Sequence, residues 1–411
     1  MSQTFPTASP REEVSDLTDA LRAPALIVRM SAIGDTLIAT RTHAHLHKRG
    51  YAPFLLTHKN NASLLQCMPL LAGACLMTES EKTYWLSDAH CKTLRSVNEE
   101  EFAQALRRFS PANSPEEKRL LLPVLDLQNT RRSARAIRAF EQRFVSFDFR
   151  IEKSAVTKQT LWRILFVFWG FLALRQWSRR IPPAWLQKRL KPVHQLQYEL
   201  VQKLPEKKHS TSNSLPSPVL IAPTPINCEQ PGNHVVFLVG SSFRLKSWPR
   251  EHYRSLQNLI LAHTSLDVYL CGGKEDISVG DYLAFPANER VINSIGKTSL
   301  AETLGLIRTA RYVVTGDSFA SHAADLLGTP VSVIFGSTHP LLGFTPEGIH
   351  TSVHHSELSC SPCSRHGQGQ CRFKNIRCLT SIKPEEVFSK IVQILEQQRQ
   401  ISDTQRQSSD S

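Results

Sequence analysis

Ala25-Leu26-Ile27-Val28-Arg29-Met30, followed at once by Ser31-Ala32-Ile33-Gly34-Asp35 and Thr36-Leu37-Ile38-Ala39-Thr40, is the stretch on which the fold turns. A short, continuous apolar run that ends at a glycine-containing turn suits a strand buried on both faces of a parallel sheet. The residues from Thr36 suit the start of the helix that follows such a strand. Asp35 stands just past the strand end, where Gly34 permits a tight approach. It is there either as a helix cap or as a carboxylate offered to a ligand.

The same alternation continues outward. Pro53–Thr57 and Leu121–Gln128 are further apolar segments, helices are expected near 98–109 and 131–141, and Val145-Ser146-Phe147 is another strand candidate. Residues 205–218, rich in Ser, Pro and Lys, suit an exposed linker. A second alternating region follows, with strands at Val235–Val239, Leu266–Leu270, Tyr312–Val314 and Val331–Phe335. Helices are expected there near 250–262, 299–309 and 319–327, with a last one from Pro384, whose missing N–H costs nothing in a first turn.

The fold class is therefore α/β, with two lobes whose ligands sit at the carboxyl ends of the strands. The lobes are expected at 21–204 and 219–398, between polar tails at 1–20 and 399–411. Neither lobe carries G-x-G-x-x-G after its first strand, which argues against a dinucleotide-dependent oxidoreductase.

A length of 411 residues suffices for two such cores. The net charge of +13, from 49 Lys and Arg against 36 Asp and Glu, favours an anionic partner without naming it. Nine cysteines, five of them scattered, argue against a disulfide framework and for a reducing, cytoplasmic setting. No secretory signal pattern opens the chain, so none is expected to be cleaved.

Residues 150–191 interrupt the rhythm with ten Lys or Arg and one acidic residue, Glu152. In their midst Ile164–Leu174 is apolar for 11 residues, about half of what a helix needs to cross a bilayer. Such a basic, aromatic-rich insertion either lies in a membrane interface or packs on its lobe as a buried helix.

In the second lobe, Gly240-Ser241-Ser242 follows a strand and Lys246 comes four residues later, a spacing that suits phosphate but is common in loops. Gly316-Asp317-Ser318 and Ser321-His322 follow the strand at 312–314, where a helix start would aim free N–H groups at an anion. Asp317 there either caps that helix or accepts a ribose hydroxyl, and His322 either donates to a phosphate or satisfies the core.

With Asp126-Leu127-Gln128, Lys246-Ser247-Trp248-Pro249, Gly272-Gly273-Lys274-Glu275, Ile295–Leu300, Gly316–Ala324 and Leu327–Thr338 in order, the chain resembles glycosyltransferase family 9, the bacterial lipopolysaccharide heptosyltransferases. The resemblance implies the GT-B architecture, two Rossmann-like lobes facing a central cleft, and inverting transfer of a heptose from ADP-heptose to the lipopolysaccharide inner core. It implies Asp35 as general base and Ser241, Ser242 and Lys246 on the donor phosphates, with Lys246 stabilising the departing charge. Glu275 would meet ribose, the backbone at Thr298 adenine, and Asp317, Ser318 and His322 would complete the donor site. Phe319 departs from the small residue usual in the family, which bears on the shape of the phosphate pocket. The implied partners are an ADP-sugar and an anionic glycolipid, at the cytoplasmic face of the inner membrane.

No catalytic metal is expected, since the second lobe has no evident D-x-D pair. Cys360, Cys363, Cys371 and Cys378 have a spacing that can wrap a tetrahedral site, expected as a structural zinc or iron knuckle, against a reduced thiol cluster or a labile disulfide. Related late Cys clusters occur in the family, some of them iron-binding. A nucleic-acid module, using these cysteines as a finger and 150–191 as the contact, would leave the ordered phosphate motifs unused, so no nucleic-acid partner is expected. Another sugar donor, or another glycan or protein acceptor, remains the enzymatic alternative.

Overall fold

The structure is a computed structural model that describes residues 23–30, 32–67, 73–80, 83–86, 120–143, 149–156, 159–173, 184–206, 232–358 and 360–409. Expected features at 1–20, 98–109, 145–147 and 207–218, and Ser31 itself, lie outside these residues. The chain divides into two compact units, one of Met1–Lys158 with His194–Pro216 and the other of Gln159–Val193 with Ser217–Ser411.

The first unit is built on a sheet of β1 (Ala23–Val28), β2 (Tyr51–His58), β3 (Gly73–Ser80), β4 (Thr83–Leu86), β5 (Leu120–Asp126) and β6 (Phe149–Ala155), in the order β4-β3-β2-β1-β5-β6. All neighbours pair in parallel except β3 and β4. β1 is central, flanked by β2 and β5, and Ala25, Leu26, Ile27 and Val28 are wholly buried, which is why the run is apolar without alternation. Its helices are α1 (Ile33–Ile38), α2 (Thr40–Lys48), α3 (Arg131–Arg143) and α6 (Val193–Gln202). Leu26, Val28, Phe54, Val124, Ile137 and Phe140 share its core.

Between α3 and α6 the chain contributes α4 (Thr160–Ala173) and α5 (Ala184–Arg189) to the second unit. There Phe166, Leu186 and Leu190 pack with Leu342, against Trp162 and Phe344. The basic segment expected as one insertion at 150–191 thus begins with an ordinary edge strand, β6, before the two helices.

The second sheet runs β12-β11-β10-β7-β8-β9, with every neighbouring pair parallel. Its strands are β7 (His234–Leu238), β8 (Asp267–Cys271), β9 (Val291–Asn293), β10 (Tyr312–Gly316), β11 (Val331–Phe335) and β12 (Thr351–His355). The helices are α7 (Arg250–His263), α8 (Ile277–Ala284), α9 (Leu300–Thr309), α10 (Phe319–Leu327), α11 (Arg377–Thr380) and α12 (Pro384–Ser409). The last of these carries helix through residues 399–409, which the polar composition suggests as a tail. Val387 and Ile391 of α12 are buried in the same core as Trp248, Tyr253 and Leu256, and the Trp248 indole donates to the Ile382 carbonyl at 3.3 Å.

In each sheet the first strand has neighbours on both sides that are reached in opposite directions, β1 between β2 and β5, β7 between β8 and β10. Those two points of reversal are where loops diverge and leave a crevice at the carboxyl ends of the strands.

Candidate functional site

At the reversal point of the first sheet, the turn after β1 and the loop after β5 are tied together. The Met30 N–H donates to the Gln128 side chain at 2.9 Å, and the Arg29 guanidinium donates to the Leu127 carbonyl at 2.7 Å. Asp126, fully buried, anchors the β5 loop by accepting from the N–H of Gln128 at 3.1 Å, the N–H of Asn129 at 2.7 Å and the Ser133 hydroxyl at 2.9 Å. Lys153 of β6 supplies a cation 3.2 Å from the same carboxylate. A carboxylate held this way costs little to bury, because its lone pairs are satisfied and its charge is answered.

The consequence falls on Asp35. It lies in the first turn of α1, its side chain 29% exposed, and its Oδ2 pairs with the Arg29 guanidinium. The α1 N-cap is Ala32 and makes no side-chain cap, so Asp35 is not the capping residue. Among the described residues Arg29 is its side-chain partner, and the β5 loop fixes Arg29 in turn.

At the reversal point of the second sheet, a 3₁₀ turn at Arg244–Lys246 crosses the ends of β10 and β11. The Ser337 N–H donates to the Leu245 carbonyl at 3.1 Å. A β-carbon on Gly316 would stand 2.5 Å from the Lys246 carbonyl oxygen, so that close approach needs glycine. Lys246 reaches Asp317 Oδ2 at 2.9 Å, and the Thr338 hydroxyl donates to the same oxygen at 2.9 Å. The cap of α10 is Ser318, whose hydroxyl accepts from the Ala320 N–H at 3.3 Å and meets the Thr315 hydroxyl at 2.9 Å. Asp317 is therefore the partner of Lys246 rather than the cap.

The remaining predicted residues sit along the same carboxyl edge. Ser241 follows β7 and is engaged with the Phe243 carbonyl at 2.7 Å and the Ser247 hydroxyl at 2.9 Å, while Ser242 is exposed. Glu275 is exposed on the turn after β8, and Thr298 lies after β9 with its hydroxyl 3.0 Å from that of Thr303. Gly296 N–H donates to the Gly272 carbonyl at 3.1 Å and joins these two turns. Phe319 is the half-buried first residue of α10, and His322, one turn on, is buried. β10, β7, β8 and β9 are consecutive in the sheet, so their turns form one row.

Two features escape sequence reasoning. Asp276 accepts from the Gly273 N–H at 2.9 Å and lies against Gly240, binding the β7 and β8 turns to each other, and burial raises its carboxyl pKa. The DIS tripeptide at 276–278 carries no signal that could have separated it from a cap.

The second is the cysteine loop. The N–H groups of Cys363 and Ser364 donate to the Ser337 carbonyl at 3.0 and 3.1 Å, and the Ser361 hydroxyl donates to the Gly336 carbonyl at 3.0 Å. This staple lays Gly367 on the stem of Lys246. Gly367 has φ +87°, and a β-carbon there would stand 2.4 Å from Lys246 Cγ. Gly367→Ala is expected to lower the melting temperature, because Lys246 must move, and to weaken the donor-phosphate binding that the family resemblance implies for Lys246. Gly369→Ala has φ +94° with nothing within 4 Å, and it should cost only the backbone term of about 1–2 kcal/mol. Thermal melts and calorimetry with ADP on both variants check the contrast.

Cys360, Cys363, Cys371 and Cys378 line one cavity of about 360 Å³, together with Leu245 and Phe373. Burial raises the thiol pKa of Cys360 and Cys363, and pushes that of Cys378 up to about 12. Four sulfurs suit a thiophilic ion chemically. Among the described residues, however, no three His, Cys, Asp or Glu side chains gather as a metal site requires, so the structure does not support the expected zinc or iron knuckle.

Comparison with known proteins agrees with this layout. The family described as glycosyltransferase family 9 (heptosyltransferase) matches residues 172–376. Lipopolysaccharide heptosyltransferase 2 of Salmonella typhimurium is 29% identical over 119 residues, 28% of this chain and 33% of that protein. Lipopolysaccharide heptosyltransferase 1 of Pseudomonas aeruginosa is 28% identical over 201 residues, 47% of this chain and 52% of that protein. The matched stretches thus span about a third to a half of these relatives' length. The solved structure of E. coli ADP-heptose lps heptosyltransferase II superposes with a TM-score of 0.55 at 17% identity, covering 92% of this chain and 99% of that one. At that identity the likeness is one of fold, and it identifies the two parallel sheets with their helices as the GT-B pair of Rossmann-like lobes. By family match, relatives and fold together, the chain belongs to glycosyltransferase family 9.

Proposed function

We propose that the protein is an inverting glycosyltransferase that moves a heptose from ADP-heptose to the lipopolysaccharide inner core at the membrane surface. The observation that carries this is the Lys246–Asp317 pair beside the capped start of α10, at the reversal point of the second sheet. A lysine and the positive end of a helix converge where a leaving diphosphate would gain charge, and fixed donors of this kind lower the barrier to bond breaking. Glu275 and the Thr298 turn, next along the row, would take the ribose and adenine of the same nucleotide.

Asp35 is proposed as the general base. An acceptor hydroxyl becomes a competent nucleophile only when its proton is taken in the transition state, and Asp35 offers a half-exposed carboxylate on a rigid turn. Direct attack by that hydroxyl on the anomeric carbon, with ADP leaving on the far side, gives inversion. The relatives' names support heptose and lipopolysaccharide as the substrates. The charge of +13 suits a phosphorylated glycolipid acceptor and peripheral contact with the cytoplasmic face of the inner membrane.

Incubation with a panel of nucleotide-sugars and soluble truncated core acceptors, with products identified by mass, tests the proposal. A heptose added from ADP-heptose is the expected product. Transfer of a different sugar, or no transfer to any core acceptor, would replace it. Phe319 at the head of α10 favours the second reading, a family 9 enzyme with another donor or acceptor, since its ring adds bulk beside the phosphate position.

A further inference from the structure

We propose that the outward face of α4, with the adjoining end of α5, docks the second unit on an anionic phospholipid bilayer. The inference rests on the membrane-surface reading above and supplies the surface that the reading lacks.

α4 is apolar on two opposite sides. Phe166 points inward to Leu186, Leu190 and Leu342. Leu161, Ile164 and Phe168, exposed at 63%, 44% and 54%, recur at i, i+3 and i+7. On a 3.6-residue period these three fall within an arc of about 60°, and Phe166 stands opposite it. A helix on a water-facing surface ordinarily places polar residues there.

α5 packs on the flank of α4 that carries Trp162, nearer Phe166 than the exposed stripe, and adds an exposed indole and cations of its own. Trp185 is 55% exposed, and its ring meets Trp162 of α4 edge-on at 6.4 Å. Arg189 lies over the same Trp162 at 5.2 Å, and Arg189 and Lys188 are exposed. An exposed apolar stripe on one helix, with an exposed indole and two cations on the next, is the composition of an interfacial element, whose apolar side enters the acyl boundary while the cations stay with the headgroups. Residues 159–193 contain seven Lys or Arg and no Asp or Glu, which selects an anionic surface. The same charge disfavours a second copy of the chain as occupant, because two such faces would repel. At 14 residues α4 is about 21 Å long, too short to span a bilayer, so it would lie along the surface.

Flotation of the full chain with vesicles of phosphatidylcholine alone, and of phosphatidylcholine with phosphatidylglycerol, tests the proposal. The unmodified protein is expected to float with the mixed vesicles and far less with the neutral ones. L161S/F168S/W185S, with an unchanged melting transition, is expected to partition about tenfold less. K188E/R189E, which leaves the apolar stripe intact, is expected to lose a similar factor on the mixed vesicles only. No flotation of the unmodified protein, or equal flotation of either folded variant, would overturn the assignment. So would a dimer in sedimentation that L161S/F168S/W185S converts to monomer. Assays with soluble acceptors need no vesicle, so failure of the docking surface and failure of the transferase reading are separable.

Discussion

Asp35→Asn is expected to lower kcat by about 10²- to 10⁴-fold while ADP affinity stays near that of the unmodified protein. Asparagine matches aspartate in size and can still accept from Arg29, so the turn after β1 keeps its shape. What it cannot do is take a proton from the acceptor hydroxyl. Stopped-time assays give the rate and calorimetry with ADP gives the affinity. Because Asp35 belongs to the first unit and the proposed nucleotide site to the second, the two readouts should separate. Turnover within a few-fold of normal would remove Asp35 from the chemistry, and an equal loss of ADP binding would make it structural.

Lys246→Ala is expected to act the other way, on nucleotide affinity as well as rate. It deletes the cation proposed to face the diphosphate, and among the described residues it leaves Asp317, 8% exposed, with the Thr338 hydroxyl as its remaining side-chain partner. Truncating one partner of a desolvated, hydrogen-bonded charge pair costs about 2–5 kcal/mol, much of it from the charge left behind. That cost falls on the stability of the free protein; ADP affinity should fall by about 10- to 100-fold through the lost charge-assisted contact to the diphosphate, and kcat by a comparable factor. The double variant Lys246→Ala/Asp317→Asn should regain part of the affinity, since the stranded carboxylate that repels the phosphates is gone. Calorimetry on the three variants checks this. Unchanged ADP binding in Lys246→Ala would place the nucleotide elsewhere.

The parts of this picture legible in the sequence are those governed by local rules. Ala25–Val28 announces a buried parallel strand because both of its faces and both of its edges are covered, and Asp35 stands out as the first acidic residue beyond it. The turns after β7 and β10 were legible for the same reason, since each follows an apolar strand, whereas Glu275 and Thr298 came from the family resemblance alone and β9, which precedes Thr298, was not foreseen. What local rules misplace is instructive. Arg150, Glu152 and Lys153 look like the beginning of a basic insertion, yet they belong to β6, an edge strand, which tolerates charge because one side faces no neighbour. Residues 399–409 have no apolar period of their own and continue a helix whose earlier turns are anchored by Val387 and Ile391.

Contacts between distant residues were the least accessible. Asp126 belongs to the Asp126-Leu127-Gln128 motif, but its work as the anchor of Gln128, Asn129 and Ser133 depends on how the loop after β5 bends back on the carboxylate, which the motif does not spell. Gly367 and Lys246 are separated by most of the second unit's core, and nothing in either neighbourhood hints that one rests on the other. Ser318 rather than Asp317 caps α10 because Lys246 claims the carboxylate, a competition decided in three dimensions.

The route of the chain has a practical side. It leaves the first unit after Lys158, lends 159–193 to the second, returns at His194 and departs again after Pro216. A single cut near 205–218 would not yield two intact halves. The upstream fragment would keep α4 and α5 but lose Leu342 and Phe344, which cover them, and the downstream fragment would be missing part of its own interior. Exchange of donor specificity between relatives by splicing near 205–218 would break the same packing, so a working chimera has to carry two separate stretches of the foreign gene.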